Sequence, residues 1–348
     1  MTMSQPHWKA VFATALCAAA CSQPGLAQVA PAVILEIQQE NMVQYFEDIS
    51  DVSKYATDPS VTTACFPIND PRVECAGRHQ TFHSMLILGD IVAINGQAVK
   101  GTIVIHGRRI QANPTPSPGQ AIADVVRNII QQTCIEILTV DGRAIGSIIL
   151  SGLGDGPPPP GAPLSQFGNN QAIVGGTGAF LGARGQMGYA PGVTTRAASI
   201  AEDPAKRRTN GGGLTVNVVH LIPMTRPEVA ITSSGPAIFH ADFSPVTAAK
   251  PAKAGEVLIV KATGLGPTVP GINPGQPFPT DALQQVNSPV AVAVNGQAAE
   301  VINSIGWPGL MDTYRVDFRL PAGATGGAAA IQLSAAWVAG SSVNIPIQ

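Results

Sequence analysis

Residues 173–185, IVGGTGAFLGARG, carry the densest glycine pattern of the chain and lie between two apolar runs. One run ends at Val174 and the other continues to Tyr189. Glycines at this spacing also occur in dinucleotide-binding turns, but such a turn leads into a helix whose N-terminus receives the pyrophosphate. Here more glycine and a second strand-like run follow. The stretch therefore predicts a strand, a glycine turn and a second strand.

Eight short apolar runs, separated by turn-forming residues, lie between Gln28 and Pro227. They are Ile34–Tyr45, Thr81–Ile94, Thr102–Ile110, Thr133–Val140, Ala144–Leu150, Gln171–Val174, Leu181–Tyr189 and Leu214–Ile222. Asn95-Gly96 and Asp141-Gly142 each lie between two runs, which is the strongest short-range signal for a β-hairpin. Eight such strands are typical of a closed antiparallel barrel, which has no exposed sheet edges.

The composition favours an all-β chain with more than one core. The sequence has 348 residues, of which 37 are Gly and 30 are Pro, and so many turn formers favour short strands over long helices. Chains beyond about 250 to 300 residues tend to split into separate cores. Only 12% of the residues are charged and the formal net charge is -2. Because nothing here builds a strong electrostatic field, we expect no nucleic-acid partner.

One segment departs from the β pattern. Apolar residues recur at the spacing of one helix face between positions 118 and 134. They are Ile122, Val125, Val126, Ile129 and Ile130. The spacing predicts one short helix of about three turns, packed against the barrel.

A second group of strand-like runs follows a proline-rich boundary near residues 227–236. Within it, Tyr314, Val316 and Phe318 alternate with Arg315 and Asp317, as in a strand with one buried face. Several such runs in about a hundred residues predict a small β-sandwich. The predicted organisation is a barrel over residues 28–228 and a sandwich over residues 229–348.

Residues 1–27 are predicted to be a signal peptide. A weakly basic start precedes the apolar stretch 10–20, and Gly25-Leu26-Ala27 offers small residues for cleavage ahead of Gln28. The alternative is a lipoprotein site at residues 18–21, which would leave Cys21 as a lipidated N-terminus. No stretch approaches the ~20 apolar residues that a transmembrane helix needs. We therefore expect a secreted, periplasmic or cell-surface protein without a transmembrane segment.

Cleavage would leave three cysteines, of which Cys65 and Cys75 flank a turn-rich loop. In an oxidising compartment a disulfide between these two is one prediction, and three buried thiols, including Cys134, are the alternative. His79 and His83 have the spacing of a metal-binding pair on a helix, but four residues of the predicted strand span ~13 Å. We therefore predict no metal site.

The glycine-rich stretch resembles the signature of the allene oxide cyclase and dirigent proteins. In that family a strand, a glycine turn and a second strand with an Ala-Arg-Gly step form part of an eight-stranded barrel. The match is close over residues 173–185 and holds only as a pattern over the rest of residues 28–227. The resemblance implies structural roles for Gly175, Gly176, Thr177, Gly178, Phe180 and Gly185.

The same resemblance implies an apolar cavity open at one end of the barrel. Family members cyclise an unsaturated fatty-acid epoxide or orient phenoxy radicals, and a cavity that fixes reacting atoms needs no strong acid or base. Arg184 is then the candidate to meet a polar ligand group, and Tyr189 the candidate to hydrogen-bond within the cavity. A structural role for Arg184, in an ion pair or bonded to loop carbonyls, is the alternative.

The C-terminal region resembles an immunoglobulin-like module of the IPT/TIG type, which is frequent in exported acidobacterial proteins. The resemblance rests on Pro236-Ala237-Ile238-Phe239, residues 262–267, Asn295-Gly296-Gln297 and residues 314–317. It implies a structural or adhesive module, which attaches the barrel to a surface or protein partner or acts as a spacer.

The sequence contains no phosphate-binding loop, esterase elbow or cluster of catalytic residues. Glu36, Glu40, Asp90 and Glu136 lie on predicted strands, where they can occupy either face. We therefore expect an exported protein whose barrel binds a small apolar or aromatic molecule, with no cofactor. The alternatives are a dirigent- or cyclase-like isomerase or coupling-directing enzyme, and a structural or adhesive surface protein without a ligand.

Overall fold

The computed structural model describes residues 33–48, 81–111, 128–154, 169–190, 192, 194–199, 202–324 and 326–348. The predicted signal peptide with Cys21, and the residues Cys65, Cys75 and His79, lie outside the described residues. Residues from Ala32 to Gln348 belong to one structural unit. Its described part is all-β apart from one short helix and one 3-10 turn, which confirms the predicted fold class.

Nine strands form the first sheet. They are β1 (Val33–Asp48), β2 (Thr81–Ile94), β3 (Gln97–Gln111), β4 (Asn128–Leu138), β5 (Ala144–Gly154), β6 (Asn169–Gly178), β7 (Arg184–Tyr189), β8 (Arg196–Ser199) and β9 (Gly213–Ile222). Eight of them pair in the order β2-β3-β4-β5-β6-β7-β9-β1, and β1 also pairs with β2. This closes an antiparallel eight-stranded barrel, and each of the eight predicted runs overlaps one barrel strand.

Both predicted hairpins are confirmed. Asn95 and Gly96 join β2 to β3 with φ angles of 50° and 76°, as the two central residues of a type I′ turn require. The Asn95 side chain also accepts a hydrogen bond from the Glu36 amide at 2.8 Å, which ties this turn to β1. Asp141 and Gly142 lie in the connection between β4 and β5.

The predicted helix is wrong over the residues that the structure describes. From Asn128 onward the chain is strand β4, which pairs with β3 on one side and β5 on the other. Ile130, placed on the apolar helix face by its spacing, is 61% exposed on the outside of the sheet. Pairing with two neighbours satisfies the backbone of β4, and this outweighs the weak local preference that helical spacing expresses. Residues 112–127 lie outside the described residues.

The one short helix of the described residues lies instead between β7 and β9. Strand β8 runs parallel to the end of β1. A 3-10 turn (Pro204–Lys206) and helix α1 (Arg207–Asn210) follow it. We call residues 194–212 the strap, because the described part of this segment packs over the outer face of β1 and β2.

A second sheet follows the barrel. It has ten strands: β10 (Glu228–Val229), β13 (Ile238–Phe239), β14 (Val257–Thr263), β15 (Thr268–Val269), β16 (Gln285–Val286), β17 (Val290–Val294), β18 (Gln297–Gly306), β19 (Tyr314–Arg319), β20 (Gly327–Ala335) and β21 (Val338–Ile347). A separate two-stranded sheet consists of β11 (Ile231–Thr232) and β12 (Gly235–Pro236). The main path of the ten-stranded sheet is β10-β14-β19-β18-β17-β20-β21. Its inward side chains, such as Val260 and Phe318, form a core separate from the barrel core.

The turn between β20 and β21 joins the second sheet to the barrel. Ala336 and Val338 are buried in the barrel core, and Trp337 packs against it. The Trp337 indole Nε1 donates to Gln97 Oε1 at 2.9 Å, which reaches the first barrel hairpin. Ala336 and Trp337 have φ angles of 47° and 63°, which is unusual for residues other than glycine or asparagine. The packing of this turn against the barrel therefore holds a costly backbone conformation.

Candidate ligand-binding site in the barrel

Alternation along the strands defines which side chains face the barrel interior. On β1, Leu35, Ile37 and Gln39 are at most 1% exposed. The residues between and beside them, including Glu36 and Glu40, are exposed on the outer surface. The interior of the barrel can therefore be followed strand by strand from burial alone.

The half of the barrel nearer the second sheet is filled by apolar side chains. The buried residues of this half include Leu35, Ile37, Ile91, Ile94, Ile103, Ile135, Ile137, Ile148, Leu150, Ile173, Met187, Val219 and Leu221. Phe180 and Ala183, from the glycine-rich turn, close this end together with Ala336 and Val338. This half is a packed core, as is usual inside eight-stranded barrels.

Away from the second sheet, the interior side chains become polar on five strands. The change is from Ile37 to Gln39 on β1, from Ile135 to Thr133 and Gln131 on β4, from Ile173 to Gln171 on β6, from Met187 to Tyr189 on β7, and from Val219 to Asn217 and Thr215 on β9. Gln39 lies opposite Thr215, and Asn217 lies opposite Tyr189. We call these seven polar residues the polar layer. Tyr189 is half-buried, and the other six are buried.

The polar layer is only partly satisfied by its own hydrogen bonds. Thr215 Oγ1 donates to Gln39 Oε1 at 2.6 Å, and Thr133 Oγ1 donates to Gln171 Oε1 at 2.7 Å. Within the described part of the chain, Gln39 Nε2 and both Asn217 Nδ2 and Asn217 Oδ1 have no hydrogen-bond partner. Asn217 is 0% exposed. A buried polar group without a partner costs about 1–3 kcal/mol, so these atoms can bind a guest that offers hydrogen bonds.

The barrel wall across from the polar layer is mainly apolar, although Gln44 Nε2 donates a hydrogen bond to the Met85 sulfur at 2.7 Å. Met42 of β1, Met85 of β2 and Ile105 of β3 are buried there, and Ile87 packs against the same core. Gly89 lies under the Met42 thioether, and a Cβ at this position would overlap the sulfur. Because methionine is unbranched and adaptable, this wall can repack around a guest.

Among the barrel side chains whose burial the structure describes, no charged one is buried in the interior. Glu36, Glu40 and Glu136, the carboxylates predicted on barrel strands, are exposed on the outer surface. Asp90 is buried, but it lies on the outer face, opposite Glu40. The polar layer can therefore donate and accept hydrogen bonds but supplies no ionised acid or base.

The two predicted ligand-binding residues lie in different environments. Tyr189 faces the interior, within the polar layer and opposite Asn217. Arg184 is exposed, and its Nη1 donates to the Val174 and Ala183 carbonyls, each at 2.9 Å. These bonds are the structural alternative considered for Arg184, and the ligand-binding role of Tyr189 stays a prediction.

The glycine-rich motif shapes the barrel end beside the second sheet. Gly178 has a φ of 60°, and Gly176 packs so closely on the Phe180 and Ser147 carbonyls that a Cβ would overlap them. Thr177 Oγ1 accepts a hydrogen bond from the Ser147 amide at 3.2 Å, which ties β6 to β5. The motif thus places Phe180 in the core at the closed end, on the side away from the polar layer.

Outside the barrel, the strap covers a second buried cluster. Asp90 accepts hydrogen bonds from Arg208 Nε at 2.7 Å and Asn41 Nδ2 at 2.9 Å, and it also pairs with Arg207. These hydrogen bonds outweigh the opposing effect of burial and lower the pKa of Asp90 to about 2. Beneath the strap, Tyr45 is 1% exposed, and burial raises the pKa of its hydroxyl.

The cysteine and metal predictions can be followed only in part. Cys134 is a free thiol on the outer face of β4, where desolvation and then Glu136 raise its pKa. The predicted disulfide between Cys65 and Cys75 falls outside the described residues and stays a prediction. Among the residues that the structure does describe, no group of three or more histidine, cysteine or carboxylate side chains gathers to hold a metal ion.

Sequence reasoning missed the unpartnered amides, Gln39 and Asn217. A signal was present for Asn217, which interrupts the apolar run from Val216 to Leu221. A polar residue inside such a run indicates a buried hydrogen-bonding position. Gln39 follows the inward residues Leu35 and Ile37 at a spacing of two, which places it on the same face.

Comparison with known proteins identifies no relative, so the class of protein is defined by the fold and the site alone. It is an all-β protein with a closed barrel and a second sheet. No protein-family model matches the chain. No curated protein matches it, and no solved structure does. No helix within the described ranges is both long enough and apolar enough to cross a membrane.

Proposed function

We propose that the barrel binds a small, mainly apolar or aromatic molecule in the part of its interior that carries the polar layer. One observation carries this proposal: the buried amides of Asn217 and Gln39 leave three polar atoms without partners inside a closed barrel. Binding sites for small molecules are typically apolar, with a few polar groups that orient the ligand. The methionine and isoleucine wall opposite the polar layer supplies the apolar part.

We also propose a family relationship for each of the two sheets. The glycine motif and the closed eight-stranded barrel support a relationship to the allene oxide cyclase and dirigent proteins. For the second sheet we propose an IPT/TIG-like module that attaches the barrel to a surface or a protein partner. The outward position of the carboxylates Glu36, Glu40 and Glu136 favours binding over acid–base catalysis, although a cavity can also direct a reaction by orientation alone.

The binding proposal is tested by recovering the guest. The full chain is purified after exposure to varied cell and soil extracts, and compounds released on denaturation are identified by mass spectrometry. Thr133→Phe fills the interior at the polar layer, and Gln132→Phe adds the same ring on the outer face. We expect a compound with the unaltered chain and with Gln132→Phe, and its loss from Thr133→Phe.

Circular dichroism first establishes that both variants fold. A compound retained by folded Thr133→Phe contradicts binding in the interior. If no compound is recovered from any extract, the proposal as a whole is contradicted. A pair of compounds related by isomerisation would instead support the enzyme alternative.

A second candidate function is a structural or adhesive surface protein without a ligand. The packed isoleucine half of the barrel favours it, because this half leaves the barrel rigid without a guest. The co-purification experiment separates the two functions, since a structural barrel releases no compound from any extract.

Export is a further part of the proposal and rests on residues 1–27 of the sequence. Expression of the whole chain in a bacterial host should yield a mature N-terminus near Gln28 in the periplasm or medium. Labelling with a radioactive fatty acid distinguishes the lipoprotein alternative, which requires Cys21. An uncleaved cytoplasmic product contradicts export.

A further inference from the structure

We infer that the guest of the barrel presents an uncharged amide edge, as in a primary carboxamide or a lactam, to Asn217. This inference rests on the proposed function and specifies its ligand class. The evidence is the pattern of hydrogen bonds in the polar layer, in which some side-chain atoms have a partner and others have none.

Asn217 provides both a donor and an acceptor. Its Nδ2 and Oδ1 are each without a partner, and the side chain is fully buried. A carboxamide with both groups free is matched by a ligand that offers an acceptor and a donor side by side, so that two parallel hydrogen bonds form. An amide of the ligand has this arrangement in its carbonyl oxygen and N–H. A simple ether, ketone or hydrocarbon leaves one or both atoms of Asn217 unsatisfied.

Gln39 adds a donor from the neighbouring strand. Its Oε1 accepts a hydrogen bond from Thr215, so Nε2 is the side-chain atom of Gln39 that has no hydrogen-bond partner. Ile37 pairs with Asn217, and Gln39 pairs with Thr215, which makes Gln39 and Asn217 diagonal neighbours at about 7–8 Å. A carbonyl oxygen has two acceptor sites. One ligand carbonyl can therefore accept from Asn217 Nδ2 and Gln39 Nε2 together.

The surroundings favour a neutral ligand. The buried polar residues on the inner face of the described barrel are glutamine, asparagine and threonine, whose side chains carry no charge. Burying an ionised carboxylate without a counter-charge costs far more than burying a neutral amide that is hydrogen-bonded. The wall of Met42, Met85 and Ile105 suits an aryl or alkyl body attached to the amide.

Three probes of similar size test the ligand class: benzamide, benzoate and toluene. Each is titrated against the full chain by ligand-observed NMR, with Asn217→Leu and Gln39→Met as near-isosteric variants. Asn344→Leu is the matched control, because Asn344 is exposed on β21. We expect benzamide to bind at least tenfold more tightly than benzoate or toluene. We also expect its affinity to fall at least tenfold in Asn217→Leu and to stay unchanged in Asn344→Leu.

Urea unfolding controls for misfolding, because leucine removes an unpaired amide and should leave the midpoint equal or higher. If Asn217→Leu fails to fold, Gln39→Met replaces it in the comparison. Toluene binding as tight as benzamide binding, or benzamide binding that survives both variants, overturns the amide inference and leaves the proposed binding function standing. No binding by any probe also overturns the inference, whereas the proposed function is then decided by the co-purification experiment.

Discussion

Gly175 and Gly185 lie ten positions apart in one motif, and their surroundings differ. Gly185 has a φ of 136°, and a Cβ there would overlap the carbonyl of His220 on β9. At Gly175 the nearest atom to an added Cβ is Arg184 Nη1, at 4.0 Å. Close approach of β7 to β9 therefore requires glycine at the second position and not at the first.

We predict that Gly185→Ala lowers the free energy of unfolding by at least ~2 kcal/mol, because it combines strained φ with backbone overlap. Gly175→Ala is expected to change it by less than about 0.5 kcal/mol. Urea denaturation followed by circular dichroism measures both. Equal effects of the two substitutions would show that the barrel does not need this close approach.

At the residue scale, the sequence predicts whether a side chain faces the barrel interior better than it predicts that side chain's hydrogen-bond partners. Tyr189, five residues after Arg184, does face the interior, because it lies two residues from buried Met187 on the same strand. Arg184 was selected from the same motif, but its odd spacing from Met187 turns it outward, which strand alternation alone would have indicated. The unpartnered state of Asn217 depends on which side chains the neighbouring strands β1 and β7 bring beside it, and local pattern does not contain this information.

At the scale of elements, the strap is held to the barrel by the pairing of β8 with β1 and by charge. Asp90 on β2 binds Arg207 and Arg208 of α1. Within the strap itself, Arg196 on β8 pairs with Glu202 at 2.5 Å. The Asp90 side chain is 12% exposed. The strap is thus attached where its arginines meet one buried carboxylate.

This attachment predicts a pH dependence. The folded pKa of Asp90, about 2, lies below the ~3.9 of an unfolded aspartate, so its stabilisation is present above about pH 4 and is lost as the pH falls toward 2. We expect a contribution of about 1 kcal/mol after solvent screening. The difference in unfolding free energy between the unaltered chain and Asp90→Asn should therefore shrink between pH 5 and pH 2. The exposed Asp281→Asn is the control, and a difference that stays constant with pH contradicts the assignment.

The elements themselves were largely predictable from sequence, with one instructive failure. All eight barrel strands and both hairpins followed from apolar runs and turn dipeptides, which are local signals. The helix predicted around Ile129 failed because β4 gains two sheet neighbours that are distant in sequence. The strap was missed for a similar reason, since the salt bridges that order it span more than a hundred residues.

At the scale of the whole molecule, the barrel core is completed by the second sheet. Ala336 and Val338 belong to the same cluster as Phe180 and Ala183 of the barrel end. Asn287 also donates to the Ala144 carbonyl, next to the second hairpin. The domain boundary predicted near residue 228 therefore separates two sheets that share one apolar contact.

We predict that a chain ending at residue 228 exposes this apolar end. It should bind a hydrophobic dye such as ANS and aggregate, because exposed apolar patches drive association. The full chain should do neither, and the full chain with Trp337→Ala should show intermediate dye binding and a lower thermal midpoint. A soluble, monomeric 28–228 chain that does not bind dye would contradict this prediction.

The bond from Trp337 to Gln97 also has a consequence for the timing of biosynthesis. Its two residues are 240 positions apart, and synthesis at about 5–20 residues per second separates their appearance by roughly 10 to 50 s. The last barrel strand ends at Ile222, so the completed barrel sequence still lacks the contact that seals it until Trp337 has been synthesised. A chaperone that shields apolar surfaces should therefore associate with ribosome-bound chains until their last residues have been translated.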